Sequence, residues 1–308
     1  MGKATRAAYG ETLIELAAEG LDVMAVDADL AGSTTTAKLG AAYPQRLVEV
    51  GIAEQNMIGV AAGLSLTGKI VFTGSFAVFG TGRVYDQVRN TVCYSELNVK
   101  LAPTHAGVTV GPDGGSHQML EDIALMRVLP RMRVLVPADY ASAKAALRLA
   151  AATPGPFYVR LGRAEIPELY TAEDDFELGQ AKVLRQGSDV TLVACGVEVN
   201  AALEAAQLLE QRQISAEVID AFSIKPLDTA TILASAEKTG RVVTCEEHSV
   251  IGGLGSAVAE ALSEELPRPL ARVGVKDRFG QSGEPDELLR YFELDASAIV
   301  ASVEKLCA

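Results

Sequence analysis

Short apolar runs rich in Val, Leu and Ile alternate with Ala-rich amphipathic stretches along most of the chain, and this alternation restricts the fold more than any other feature. A brief apolar run without a polar face reads as a strand buried on both sides, and a helix between two such strands brings them in parallel. In the first half, strands are predicted at Leu21–Val26, Leu47–Val50, Lys69–Phe72, Val99–Pro103, Val134–Val136 and Phe157–Leu161, with helices over 5–19, 53–66, 82–93, 119–129 and 141–152. In the second half, strands are predicted at Val190–Ala194, Ala216–Ile219, Val242–Cys245 and Arg272–Val275, with helices over 198–212, 228–238, 252–264 and 285–291. The expected architecture is α/β: two consecutive three-layer α/β/α domains with mostly parallel sheets. Between Ile166 and Gly187 the pattern fails and acids and proline accumulate. The domains are therefore placed at 1–167 and 188–308, with a linker over 168–187.

A length of 308 residues suits two domains of about 150 residues. Aromatic residues make up 5% of the chain and Trp is absent, so the core must be built from Ala, Val, Leu and Ile. The formal charge of −13 leaves no basic footprint for nucleic acid. It does not exclude an anionic small substrate, because a few Arg and His side chains dominate inside a cleft. The N-terminal segment has no apolar signal core, and no uncharged run approaches the ~18–20 residues that span a bilayer. The four cysteines, Cys93, Cys195, Cys245 and Cys307, lie far apart without metal-ligand spacing and read as small hydrophobes in a reducing compartment. A soluble cytoplasmic protein is expected.

Gly51-Ile-Ala-Glu-Gln-Asn-Met57 places one acid, Glu54, in an uncharged segment that opens a small, apolar helix. An acid there is either a helix N-terminal residue favouring the macrodipole or a buried carboxyl that is paired or at work. The loop from Thr104 to His117 holds two of the three histidines, His105 and His117, with Asp113 between paired glycines. Following a strand and preceding a helix, it is either a solvated surface loop or one wall of a cleft at the carboxyl ends of the strands. A metal site built from His105, Asp113 and His117 lacks a recognised ligand spacing. Asp29 and Ser33 also follow a strand, in a segment that is ordinary turn chemistry when taken alone. Phe76 and Phe79, three residues apart, offer either two core rings or a stacking surface. Arg160 and Arg163 end the last strand of the first half, with Arg6 opening the first helix; forked guanidinium donors suit a phosphate or carboxylate. Gly252-Gly-Leu-Gly-Ser256 lacks the G-x-G-x-x-G spacing of a dinucleotide site and reads as a helix start packed closely on a neighbour, which disfavours a Rossmann oxidoreductase. Glu246-Glu-His248, just before it, suits a domain interface.

Taken together, GIAEQNM, HAGVTVGPDGGSHQ, VIDAFSIKPLD and CEEHSVIGGLGSAVAE, in this order, resemble the C-terminal half of transketolase: a pyrimidine-binding domain followed by a transketolase C-terminal domain. The resemblance implies thiamine diphosphate as cofactor, with Glu54 hydrogen-bonding N1′ of its aminopyrimidine so that N4′ removes the thiazolium C2 proton. It implies stacking of the pyrimidine on Phe76 and Phe79, and Asp29 near the thiazolium. His117 and Asp113 would meet substrate hydroxyls, while His105, Ser33, Arg6 and one of Arg160 or Arg163 would surround a terminal phosphate. The family holds the diphosphate through Mg²⁺ with a Gly-Asp-Gly motif that is missing from this sequence. The expectation is therefore the smaller subunit of a split transketolase of the pentose phosphate pathway. Its partner would be an N-terminal subunit carrying Gly-Asp-Gly and Mg²⁺, in a two-plus-two heterotetramer acting on sugar phosphates.

Two enzymatic alternatives share parts of this pattern. A 1-deoxy-D-xylulose-5-phosphate synthase would carry arginine where His105 stands, and a 2-oxoacid dehydrogenase β subunit lacks the Gly-x-Asp-Gly-x-Ser/Thr-His form. A non-catalytic assembly subunit is disfavoured by the joint presence of Glu54, His105, Asp113 and His117.

Overall fold

The computed structural model describes residues 2–307. Strands β1 (Val23–Asp27), β2 (Leu47–Glu49), β3 (Ile70–Gly74), β4 (Val99–Leu101), β5 (Arg133–Leu135) and β6 (Phe157–Val159) alternate with helices α1 (Ala7–Ala18), α2 (Ala31–Thr34), α3 (Ala37–Ala42), α4 (Glu54–Ser65), α5 (Asp122–Arg127) and α6 (Tyr140–Ala152). The helical segment between β3 and β4 is wound in wide π-type turns, Val78–Arg83 and Gln87–Cys93. The second half contains β7 (Lys182–Arg185), β8 (Val190–Ala194), β9 (Ala216–Asp220), β10 (Ser223–Lys225), β11 (Val242–Ser249) and β12 (Leu270–Val275), with α7 (Glu198–Glu210), α8 (Thr229–Thr239), α9 (Leu254–Glu265), α10 (Pro285–Tyr291) and α11 (Ala296–Cys307).

Two mostly parallel sheets result, ordered β10-β5-β6-β4-β3-β1-β2 and β12-β11-β8-β9-β7. Among the described residues, only β10 and β7 run antiparallel to their neighbours in the sheets, β5 and β9. In the first sheet the chain leaves β1 to one side for β2 and returns on the other side as β3. That reversal opens a crevice at the carboxyl ends of β1 and β3, the usual ligand position in such a sheet.

Several elements depart from the sequence reading, among them helices α2, α3 and α11, which it did not predict. β7 lies inside the expected linker and extends the second sheet, with Val183 opposite Ile219. As a half-exposed edge strand it has no continuous apolar run to announce it. β10 follows the second domain's β9 yet pairs with β5 of the first sheet, so the two domains share a sheet edge. The helix expected over 119–129 begins only at Asp122, because the preceding residues bend to close the loop that carries His117.

Each sheet is covered on both faces. Tyr9 and Leu13 of α1 and Ala146 and Leu147 of α6 pack on Phe72 and Phe157. On the other face Met57 and Ile58 of α4, with Val88 and Val92 of the π turns, meet Val26, Val71 and Leu101. That cluster continues into the second half through Met126 and Leu129 to Ile232, Ala236, Val258 and Leu262 of α8 and α9. The outer face of the second sheet is closed by α7 and α11, through Val199, Ala202, Ile299 and Val303. This continuous buried cluster makes the two domains one packed body.

Candidate functional site

The carboxyl ends of four neighbouring strands deliver the side chains singled out by the sequence. β1 leads into Asp29 and Ser33, β3 into Phe76 and Phe79, β4 into His105, and β6 into Arg160 and Arg163. β3 and β4 remain joined beyond their formal ends, since Thr104 N–H donates to Ser75 O at 3.0 Å and Ala77 N–H to Thr104 O at 2.7 Å. These bonds fix Phe76 beside His105, with ring centroids 3.8 Å apart. Phe76 stacks on Phe79 at 6.3 Å, and His117 stands edge-on to both rings, at 6.4 and 5.5 Å.

Glu54 is the first residue of α4 and is 3% exposed. It therefore combines both readings of the sequence: it is a helix N-terminal acid, and it is a buried, paired one. Its partner is Arg83, whose Nη1 donates to both carboxylate oxygens at 2.9 and 2.8 Å. The Arg83 guanidinium also lies over the Phe79 ring, 4.4 Å from its centroid. A flat nitrogen cation is thus held between a buried carboxylate and an aromatic face at the mouth of the crevice, and the Arg83 side chain is 46% exposed. An aminopyrimidine needs the same two features, a carboxylate for its ring nitrogen and a ring to stack on, so these residues fit that group once Arg83 turns outward.

The other end of the cluster is cationic. Arg6 Nη1 donates to Ser33 O at 3.0 Å and lies 3.4 Å from His105 Nε2. Because a guanidinium only donates, Nε2 accepts, and the ring proton sits on Nδ1, 2.7 Å from Thr104 Oγ1. Burial, reinforced by Arg6, Arg163 and His117, pushes the His105 pKa down to about 3, so the imidazole is neutral across the physiological range. Burial and Arg163 likewise pull the Arg6 pKa down. Arg6 and Arg163, which donates to Val110 O, thus both raise the positive potential at a neutral imidazole, and a tetrahedral oxyanion would relieve it. His105 is also held at φ +62°, a conformation that surroundings must impose on a non-glycine residue.

Arg163 belongs to this end of the site and Arg160 does not. The Arg160 side chain is 7% exposed; its Nε donates to Asp122 Oδ2 at 2.7 Å and its Nη2 to Glu247 O at 2.9 Å. These bonds commit it to the seam between the domains, and its reading as a phosphate ligand is corrected on that ground. Asp113 is exposed at the loop tip, and no hydrogen bond ties it to the cluster among the described residues. Asp29 is exposed at φ +63°, with its N–H donating to Glu49 Oε1 at 2.6 Å. No group of three His, Cys, Asp or Glu side chains among the described residues is placed to hold a metal ion.

Sequence reasoning missed two supports. Arg83 carries no spacing signal, because its tie to Glu54 spans 29 positions and depends on the π turns that aim it. Asp27, fully buried at the end of β1, accepts from Thr34 and Thr36 hydroxyls at 2.8 and 2.7 Å and from Leu30 N–H at 2.7 Å. It folds the segment that presents Asp29 and Ser33; a buried strand-end acid followed by three threonines was its visible signal. The glycine pair at 252–253 does pack closely: a Cβ on Gly253 would overlap Glu246 and His248.

Residues 1–168 match the transketolase pyrimidine-binding domain, and residues 179–299 match the transketolase C-terminal domain. The chain belongs to the transketolase family. A protein of Methanocaldococcus jannaschii assigned as a transketolase C-terminal section is 48% identical over 98% of this chain and 95% of its own length. A 6-deoxy-6-sulfo-D-fructose transketolase subunit of Clostridium sp. (strain MSTE9) is 45% identical over 98% of this chain and 94% of its own. A solved split-gene transketolase, described as an inactive beta4 tetramer, superposes with a TM-score of 0.91 at 51% identity, covering 99% of this chain and 98% of that one. The two α/β domains with mostly parallel sheets are thus those of the transketolase C-terminal half.

Proposed function

We propose that this chain is the C-terminal subunit of a split, thiamine-diphosphate-dependent transketolase. It would move a two-carbon ketol unit from a ketose phosphate to an aldose phosphate, working only with a separate subunit that binds the diphosphate through Mg²⁺. The observation that carries this reading is the unbroken line Glu54–Arg83–Phe79–Phe76–His105–Arg6 along one crevice. It pairs a seat for a flat nitrogen heterocycle with a seat for an oxyanion. When bound, the cofactor supplies the carbon nucleophile and the sink for its electron pair. The chain's own residues orient and hold. Glu54 takes the pyrimidine nitrogen now represented by the Arg83 guanidinium, and Phe79 and Phe76 flank the ring. His117, edge-on to both phenylalanines, reaches substrate hydroxyls with Asp113, and Asp29 lies toward the thiazolium. Arg6, Arg163, Ser33 and the neutral His105 hold the terminal phosphate.

Need for a partner is supported by the missing Gly-Asp-Gly motif in the 308 residues and by the inactivity of the beta4 neighbour. A two-plus-two heterotetramer is the proposed assembly. The Clostridium relative acts with a sulfonated sugar, and a sulfonate would suit the same cationic seat as a phosphate. Cytoplasmic location belongs to this reading, supported by four free, dispersed cysteines, and a role in the pentose phosphate pathway follows from the proposed ketose phosphate substrates. The test is reconstitution with the candidate Gly-Asp-Gly subunit, thiamine diphosphate and Mg²⁺. Ketol transfer from xylulose 5-phosphate or fructose 6-phosphate should appear only in the mixture and fall at least ~100-fold in Glu54→Gln. Robust turnover by this chain alone, or an unchanged rate in Glu54→Gln, overturns the proposal.

A further inference from the structure

The loop between His105 and His117 is gripped at both ends by the second domain. Near its start, Thr109 N–H donates to Glu247 Oε1 at 2.6 Å. Gly107 sits at φ +85°, and a Cβ there would fall inside the Glu247 carboxylate. Near its end, Gln118 Nε2 donates to Gln281 O at 2.9 Å, to Val108 O at 3.0 Å and to Gly111 O at 3.3 Å. Gly115 lies against Gly280 and Gly114 against Ser282. Both flanks of the loop thus rest on parts of the chain more than 120 residues away.

Glu247 occupies the carboxyl end of β11, where β8 and β11 meet and where an open parallel sheet would itself offer a ligand crevice. Here that crevice is filled by the first domain's loop. Glu247 is 3% exposed, and burial pushes its carboxyl pKa up while Arg160 and the Thr109 amide pull it back. Arg160 closes the seam: it reaches Glu247 Oε2 at 3.7 Å, Glu247 O at 2.9 Å and Asp122 Oδ2 at 2.7 Å. Burying a carboxylate and a guanidinium is costly, and apolar residues of similar volume would glue two domains at least as well. The charged solution does something glue does not: it aims one acceptor at one amide, four residues after a histidine held at positive φ.

From this geometry we infer that Glu247 is a positioning residue, through which the second domain fixes His105 in the anion seat. The role in substrate binding rests on the function proposed above; the structural coupling does not. The test therefore uses the free chain. With only three histidines, ¹³Cε1-labelled His105, His117 and His248 are assigned by single His→Asn variants. In the parent, His105, which faces Arg6, Arg163 and His117, shows no titration between pH 5 and 8. Glu247→Ala releases Thr109 N–H, lets water reach the imidazole and raises the His105 midpoint by at least two units, into the pH 5–8 range. Glu247→Gln keeps an acceptor oxygen and restores the parent behaviour. Glu260→Ala breaks the cross-domain pair with Arg127 without touching the loop, and leaves His105 unmoved. If Glu247→Ala does not fold, Glu247→Asp withdraws the acceptor while keeping the charge opposite Arg160, with the same expected shift. In the reconstituted enzyme the loop-releasing variants raise KM for the sugar phosphate about tenfold with kcat changed far less. An unmoved His105 in a folded Glu247→Ala or Glu247→Asp chain overturns the inference, whether or not ketol transfer is observed.

Discussion

Arg83 decides whether Glu54 is available. The carboxylate is buried and both its oxygens accept from one guanidinium, which itself lies on the ring that should receive the cofactor. Arg83 and an aminopyrimidine therefore compete for one seat, and Arg83→Ala separates the two demands. In the free chain the variant leaves a buried carboxylate without its partner and should lose ~1–3 kcal/mol, read by urea unfolding. In the complex the competitor is gone. A half-exposed guanidinium is partly screened, so the gain in cofactor affinity is modest, about three- to tenfold in a calorimetric titration. Weaker cofactor binding in the variant would mean that Arg83 supports the ligand instead of standing in for it.

The crevice that holds these side chains is made by strand ends, and one close-packed point in it is Gly74, at the end of β3 beside Asp27 of β1. A Cβ at Gly74 would fall on Asp27 Oδ2, the atom that receives the Thr34 and Thr36 hydroxyls. Gly74→Ala should therefore cost ~2–4 kcal/mol in denaturant unfolding, combining overpacking with a buried acid pushed off its donors. Freeing the Thr34 and Thr36 hydroxyls from Asp27 should also loosen the segment bearing Ser33; a cost below ~1 kcal/mol would show that β1 and β3 separate freely. Such elements differ in how legible they are. Val23–Asp27 and Val190–Ala194 announce themselves because strands buried on both faces are uniformly apolar. The histidine loop, Glu54 and the phenylalanine pair could be found because their residue types sit next to predicted strand ends. β7 and β10 could not, since edge strands of three or four residues owe their existence to partners distant in sequence. Arg160 misled for the same reason: at a strand end it looks like a ligand, and only the second domain's Glu247 reveals it as a structural cation.

At the scale of the whole molecule the two domains are joined by a shared sheet edge, by the Arg160–Glu247 seam and by a third link that carries its own pH dependence. Asp139 caps α6 through Ser142 and also accepts from Leu169 and Tyr170 N–H, both at 2.8 Å, which fixes the connecting segment to the first domain. The Tyr170 hydroxyl then donates to Asp220 Oδ2 of β9 at 2.7 Å, while Asp220 Oδ1 is buried with no partner among the described residues. Burial pushes the Asp220 pKa up to about 7; the Tyr170 bond opposes the shift, whereas nearby Asp139 adds to it. The unfolded carboxyl titrates near 3.9, so between about pH 4 and 7 the folded chain binds the extra proton and stability falls as pH rises. His105 works the other way: its folded pKa of about 3 lies below the unfolded value, so its contribution is lost as pH falls from about 6.5 toward 3. Asp220→Asn keeps an acceptor for Tyr170 and removes the ionisation. In the parent the Asp220 and His105 slopes oppose one another between about pH 4 and 6.5; the variant should rise over that range under His105 alone and exceed the parent at pH 8 by roughly 2–4 kcal/mol in urea unfolding. Parallel profiles for parent and variant would mean that Asp220 ionises without cost, and that water reaches the junction between the domains.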